Sequence, residues 1–154
     1  MNYEELCEEI TIEFEALDII VAELIQVHDE YQEGKPSIRE ITAAGAFLAQ
    51  FYNGIENILK RFYKFSGQSL PQGFDWHIAL FKAFCDPPTE NLPLIFTNEL
   101  ETKFVPFRRF RHVVHHGYGF QLDWDRIKPG IEEIQSIYSQ FKKVVKLRLT
   151  ELEP

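Results

Sequence analysis

Apolar residues at Leu6, Ile10, Phe14, Leu17, Val21, Leu24 and Tyr31 recur at steps of three, four or their sum, the spacing that lines one face of an α-helix. This predicts one long first helix, ended by Gly34 and Pro36. Ser37 and Glu40 have capping-box spacing and open a second helix. Its apolar stripe is Ile41, Phe47, Phe51, Ile55, Ile58 and Phe62, and Gly67 closes it. Gly45 and Gly54 inside this helix each cost about 1 kcal/mol against alanine, so a partner helix is expected to come close there.

After the loop "GQSLPQG", a shorter helix is expected from about Asp75 to Phe84, stopped by the prolines of "DPPTEN". A fourth helical region is expected over roughly Leu92 to His116, with Pro106 kinking or dividing it. "GYGFQLD" reads as a glycine-hinged turn, and Asp123 caps a last helix reaching about Leu152. Its stripe is Ile127, Ile131, Ile134, Tyr138, Phe141, Val145, Leu149 and Leu152. Glu132 and Glu133 near its start and Lys143, Lys146 and Arg148 near its end suit the helix dipole. No strand, repeat or low-complexity pattern stands out. The expected fold is all-α: a bundle of about five helices with an antiparallel, up-and-down core. With 154 residues, 45% of them hydrophobic, residues 1–154 are taken as one domain.

No stretch of eighteen apolar residues occurs, and "MNYEELCEEI" is acidic where a secretory signal would be basic. The expectation is a cytoplasmic protein with no membrane partner. Cys7 and Cys85, far apart, offer neither a disulfide framework nor a thiolate metal site. The net charge of −8 argues against a protein that coats nucleic acid through its overall field. The charge is unevenly spread, however. Met1 to Gly34 holds eleven acids and no Lys or Arg, whereas Lys103 to His116 holds Lys103, Arg108, Arg109 and Arg111 and no acid. The acidic first helix is either a solvated face beside Lys143, Lys146 and Arg148 or a docking surface for a basic partner.

The basic cluster lies in "FRRFRHVVHHGYGF", Phe107 to Phe120. On a helix, Arg111 and His115 share one ridge, and Arg109, His112 and His116 share the next. Arg111 falls at the edge of the apolar stripe carrying Phe104 and Phe107, so its guanidinium should be partly sheltered and in need of an anion. Three readings fit the residues. One is a solvated basic helix end. Another is a zinc pair, His112 and His116, which lacks a third ligand and stands among arginines that repel a cation. The third is phosphodiester chemistry on RNA, in which imidazoles move protons and guanidinium grips phosphate, with no metal and no cofactor. One chain carries one copy of this set, so two copies meeting across a two-fold axis would complete it.

"RHVVHHGY", Arg111 through Tyr118, has the form R-x4-H-x-Y and resembles the signature of the HepT-like HEPN ribonuclease toxins of HEPN-MNT toxin–antitoxin systems. "FYNGIENILKRF", "DWHIALFKAF" and "YGFQLDWDRI" resemble that family's second helix, third helix and the turn into its last. The resemblance implies a HEPN-type bundle, a homodimer, acting as a metal-independent RNA endonuclease in a type VII-like pair. It implies that Arg111 contacts the scissile phosphate, that His116 is general acid or base, and that Tyr118 is the tyrosine AMPylated by an MNT-type nucleotidyltransferase antitoxin. Added nucleotide there would place negative charge and bulk where RNA phosphate must sit. His112 takes a position that is commonly asparagine in the family. Arg108 and Arg109 match no signature position and are assigned, with His112, to RNA binding. His115 is expected to play a supporting role and His77 to be a satisfied core or surface residue. The alternative is a non-catalytic HEPN module that binds nucleotide or a partner nucleotidyltransferase; a purely structural dimerisation bundle is a third possibility.

Overall fold

Two capping boxes start the first two helices. The Asn2 side chain accepts from the Glu5 backbone N–H while the Glu5 carboxylate accepts from the Asn2 N–H, and Ser37 and Glu40 make the same reciprocal pair. The structure, a computed structural model, describes residues 1–116 and 122–154. Over these the chain forms five helices and no strand: α1 (Tyr3–Glu30), α2 (Ile38–Ser66), α3 (Trp76–Ala83), α4 (Asn98–His116) and α5 (Trp124–Leu152). Gly67 ends α2 at φ 76°, a left-handed conformation that suits glycine, and the Asp123 side chain caps α5 at the Asp125 N–H.

The four long helices alternate in direction. Arg61 meets Glu9 at 2.9 Å at one end of the α1–α2 pair, and Tyr31 donates to Glu40 at 2.8 Å at the other. Tyr3 donates to the Leu149 carbonyl, while His28 lies 3.3 Å from Glu132, so α5 also runs antiparallel to α1. Phe104 packs on Phe141 and Phe107 lies beside Gly130, which sets α4 antiparallel to α5. The result is an all-helical bundle with an up-and-down core. Its centre is aromatic: Phe51, Phe104, Phe107 and Tyr138 meet edge to face or stacked, and Phe81 stacks on Phe96 at 4.3 Å.

The close approach of a partner helix expected at the α2 glycines is present at Gly54, whereas the nearest neighbour of Gly45 is Leu122, which lies outside any helix. A Cβ on Gly54 would stand 2.6 Å from Leu17 Cδ2 of α1, and one on Gly45 would collide with the end of Leu122. Two expectations need correction. Helix α4 begins at Asn98 rather than near Leu92, because Pro93 lacks an N–H and keeps Leu92 out of helical geometry. The segment before it is non-helical, tied to the end of α3 by the N–H groups of Ile95 and Phe96, both donating to the Phe84 carbonyl at 3.0 Å. Pro106 does not divide α4. The helix runs through it, with the proline exposed, so the Thr102 carbonyl it leaves unbonded falls on the wet side. The acidic α1 does lie beside the basic end of α5, where Lys146 acts on Asp18, and its closest ion partners are Lys142, 3.0 Å from Asp18, and Arg61, which reaches both Glu9 and Glu13. Arg148 turns instead to the Leu94 carbonyl and Glu151. Cys7 and Cys85 are half-buried free thiols, and Cys85 Sγ donates to the Phe81 carbonyl at 3.4 Å.

Candidate active site

Tyr52, Glu56, Leu59 and Tyr63 form one buried stripe of α2, and Glu56 is the single buried charged or polar side chain among the described residues, 2% exposed. A carboxylate in such a place requires hydrogen-bonded or ionic partners. It has two. One oxygen lies 2.6 Å from His77 Nδ1 of α3, and the other 3.5 Å from Arg111 Nε of α4. Arg111 Nε also donates to Asn53 Oδ1 of α2, one turn before Glu56. Arg111 Nη1 stands 3.4 Å from His77 Nε2.

These contacts suit one tautomer of a neutral His77 ring. An ionised carboxylate only accepts, so Nδ1 carries the proton; arginine only donates, so Nε2 presents its lone pair. Three helices thus converge on Arg111, which keeps 20% of its side chain exposed. Its Nη2 has no hydrogen-bond partner among the described residues. The sheltered arginine expected from the helical wheel is present, and its anion is Glu56.

Arg111 lines an open cavity of about 650 Å³ between α2, α3 and α4. Arg108, Arg109, His112, His115 and His116 line the same cavity from α4, and His77, Trp76 and Tyr52 from the other two helices. Every described residue of the basic cluster singled out in the sequence therefore faces one space. Tyr118 lies outside the described residues. His112 and His116 are exposed, and their rings touch, with centroids 4.4 Å apart. His115 also reaches the cavity; partial burial, and then the neighbouring Arg111 guanidinium, lowers its pKa below the ordinary imidazole value. Arg109 is exposed. Arg108 lies over the Phe81 ring at 5.2 Å, a cation–π arrangement, with its Nη1 buried and unbonded among the described residues. Burial, followed by the Glu56 carboxylate, raises the Tyr52 pKa, so its hydroxyl stays a neutral donor. Phe74, Ile78 and Val113 rim the cavity, 97%, 46% and 54% exposed.

The arrangement combines fixed positive charge, imidazoles open to solvent and an apolar rim, a combination suited to gripping a phosphodiester and moving protons around it. A family model described as a HepT-like protein matches residues 43–150. The chain belongs to the HepT-like family of HEPN proteins. No curated protein and no solved structure matches it. The matched span of this HepT-like chain contains every side chain named around the cavity, and the family is one of HEPN-type toxin modules generally associated with RNA cleavage.

Three participants were missing from the sequence reading of the HepT-like site: Asn53, Glu56 and His77. His77 is a satisfied, half-buried residue as expected, bonded to Glu56, but it also faces the cavity, which its place in the sequence does not show. A signal did exist for Glu56, a lone carboxylate on the face of α2 otherwise formed by Tyr52, Leu59 and Tyr63. Nothing in the sequence pairs it with Arg111, 55 positions away. Among the described residues no three His, Cys, Asp or Glu side chains are grouped so that they could hold a metal ion.

Proposed function

We propose that this chain, residues 1–154 acting as one HEPN domain, is a metal-independent RNA endonuclease, the cytoplasmic toxin of a HEPN-MNT pair. The observation that carries the reading is the mounting of Arg111. Asn53, Glu56 and His77 hold its inner edge, while the guanidinium lines a basic cavity that also contains His116. A guanidinium held in this way offers its free edge to phosphate without having to be ordered at the moment of binding. In the reaction, Arg111 grips the scissile phosphate, and His116 exchanges a proton with the sugar hydroxyl or the leaving oxygen. Arg108, Arg109 and His112 hold the neighbouring RNA backbone.

The apolar rim of Phe74, Ile78 and Val113 supports a homodimer that closes two such cavities against each other. Tyr118 follows His116 by two residues. AMPylation there by an MNT-type nucleotidyltransferase would put a nucleotide phosphate into competition with RNA for the same cations. No helix of the described residues is long and apolar enough to cross a membrane.

The test uses purified protein on total RNA, with and without EDTA. Wild-type protein should cleave in both conditions, and Arg111→Ala or His116→Ala should fold and bind RNA but leave it intact. A Phe74→Ser/Val113→Ser double variant should sediment as monomer and lose cleavage. RNA binding without cleavage by the wild type would turn the reading to the non-catalytic HEPN module, and full activity in either single variant would remove the residue assignment.

A further inference from the structure

Cleaving RNA without a metal requires one group to take the 2′-hydroxyl proton and another to protonate the leaving oxygen. The reading above, on which this inference rests, draws a single imidazole from each subunit. We propose that His77 is a second proton-transfer group of the cavity, the base that accepts the 2′-hydroxyl proton, with Glu56 holding its ring in the reactive tautomer.

The geometry supports this in three ways. Glu56 occupies Nδ1 at 2.6 Å, so the ring's lone pair is at Nε2, the nitrogen nearest the phosphate-gripping Arg111. The contact from Arg111 Nη1 to Nε2 is 3.4 Å, long for a hydrogen bond, and is readily exchanged when a phosphate draws the guanidinium away. His77 also keeps 27% of its side chain exposed and lines the cavity, whereas a purely structural buttress would be sealed as Glu56 is, at 3%. Once His77 is protonated, the buried Glu56 carboxylate offsets the new charge, the role a carboxylate plays behind a histidine base.

The step balances. O2′ bonds to phosphorus as its proton passes to His77 Nε2. The P–O5′ bond breaks and protonated His116 gives its proton to O5′, leaving a 2′,3′-cyclic phosphate and a 5′-hydroxyl. Proton exchange with water restores both rings. The charged and titratable groups around His77 are Glu56 and Lys60 on α2, Asp75 just before α3, and Arg111, His115 and His116 on α4. All except Lys60 and Asp75 belong to the site already described.

The experiment compares His77→Asn with His116→Ala on two RNAs, one unmodified and one with sulfur replacing the bridging 5′ oxygen at the mapped cleavage position. Asparagine keeps a donor toward Glu56 and has nothing in place of Nε2. A thiolate leaves without being protonated, so the sulfur substrate restores activity lost with an acid but not activity lost with a base. His77→Asn is expected to fall about 10²–10⁴-fold on both substrates and to lose the acid-side limb of the rate–pH profile, while His116→Ala recovers on the sulfur RNA. A His77→Asn enzyme with wild-type rate and pH profile would overturn the inference and leave the nuclease reading standing. Recovery of His77→Asn on sulfur would overturn it as well, by making His77 an acid. If wild-type protein cuts neither RNA, the nuclease reading itself fails.

Discussion

Glu56→Gln removes one charge from the buried junction and almost no volume. The carboxylate bonds His77 at 2.6 Å and faces Arg111 Nε at 3.5 Å. Hydrogen bonds to charged groups contribute roughly 1.5–3 kcal/mol, and removing one partner of a fully buried ion pair costs about 3–5 kcal/mol. Two features bring the glutamine variant below that upper range. Arg111 is 20% exposed, so water shares its charge, and the glutamine oxygen still accepts from one neighbour. The expected loss is therefore about 2 kcal/mol, a fall in Tm of roughly 4–8 °C for a chain of this size. Because the loss arises from the pair, it should shrink in an Arg111→Met background, giving a coupling of about 1–2 kcal/mol in a double-mutant cycle. Urea unfolding of the four proteins, with unchanged m values, measures both quantities. A loss under about 0.5 kcal/mol, or a coupling that small, would mean that Glu56 does not hold Arg111. The argument for a prearranged phosphate clamp would then lose its basis.

Two further outcomes test the packing and the surface. Gly54→Ala drives a methyl to 2.6 Å from Leu17 Cδ2, whose side chain is 1% exposed and has nowhere to go. The overpacking penalty, about 1–3 kcal/mol, should exceed the helix-propensity gain of about 1 kcal/mol, whereas Gly45→Ala pushes only the half-buried Leu122 outside any helix and should destabilise less in the same urea assay. Burial raises the Asp18 pKa, but hydrogen bonds from Tyr138 and Lys142 outweigh it and hold the carboxyl below its ordinary value. The stability this contributes is present above the unfolded carboxyl pKa of about 3.9 and is lost as pH falls through the lower folded value. Because the Asp18 side chain is half exposed and its ion pair is screened by water, Asp18→Asn should be less stable than wild type by about 0.5 kcal/mol at pH 7, with the gap closing below about pH 4 in denaturation curves taken across pH; a gap independent of pH would contradict the ion-paired reading.

The sequence alone determined the helices, because helix formation and amphipathic burial are set by spacing within a few turns. The stripe from Leu6 to Leu24 is buried throughout, the Ser37–Glu40 box and the Asp123 cap form as expected, and the glycines of α2 mark real close approaches. It also placed Arg111 and the histidines on adjoining ridges of one helix, since that needs only an angular step of about 100° per residue. Where local sequence was ambiguous the reading went astray. Pro93 delays α4 to Asn98, and Pro106 sits where its lost hydrogen bond faces water. Only the tertiary structure decided that Asn53, Glu56 and His77 meet Arg111, because those contacts join three helices across 58, 55 and 34 positions of chain. A pattern that repeats every 3.6 residues records which way each side chain faces on its own helix. It carries no record of which helix lies opposite, and in this protein the opposite helices supply the carboxylate, the amide and the imidazole that hold the arginine.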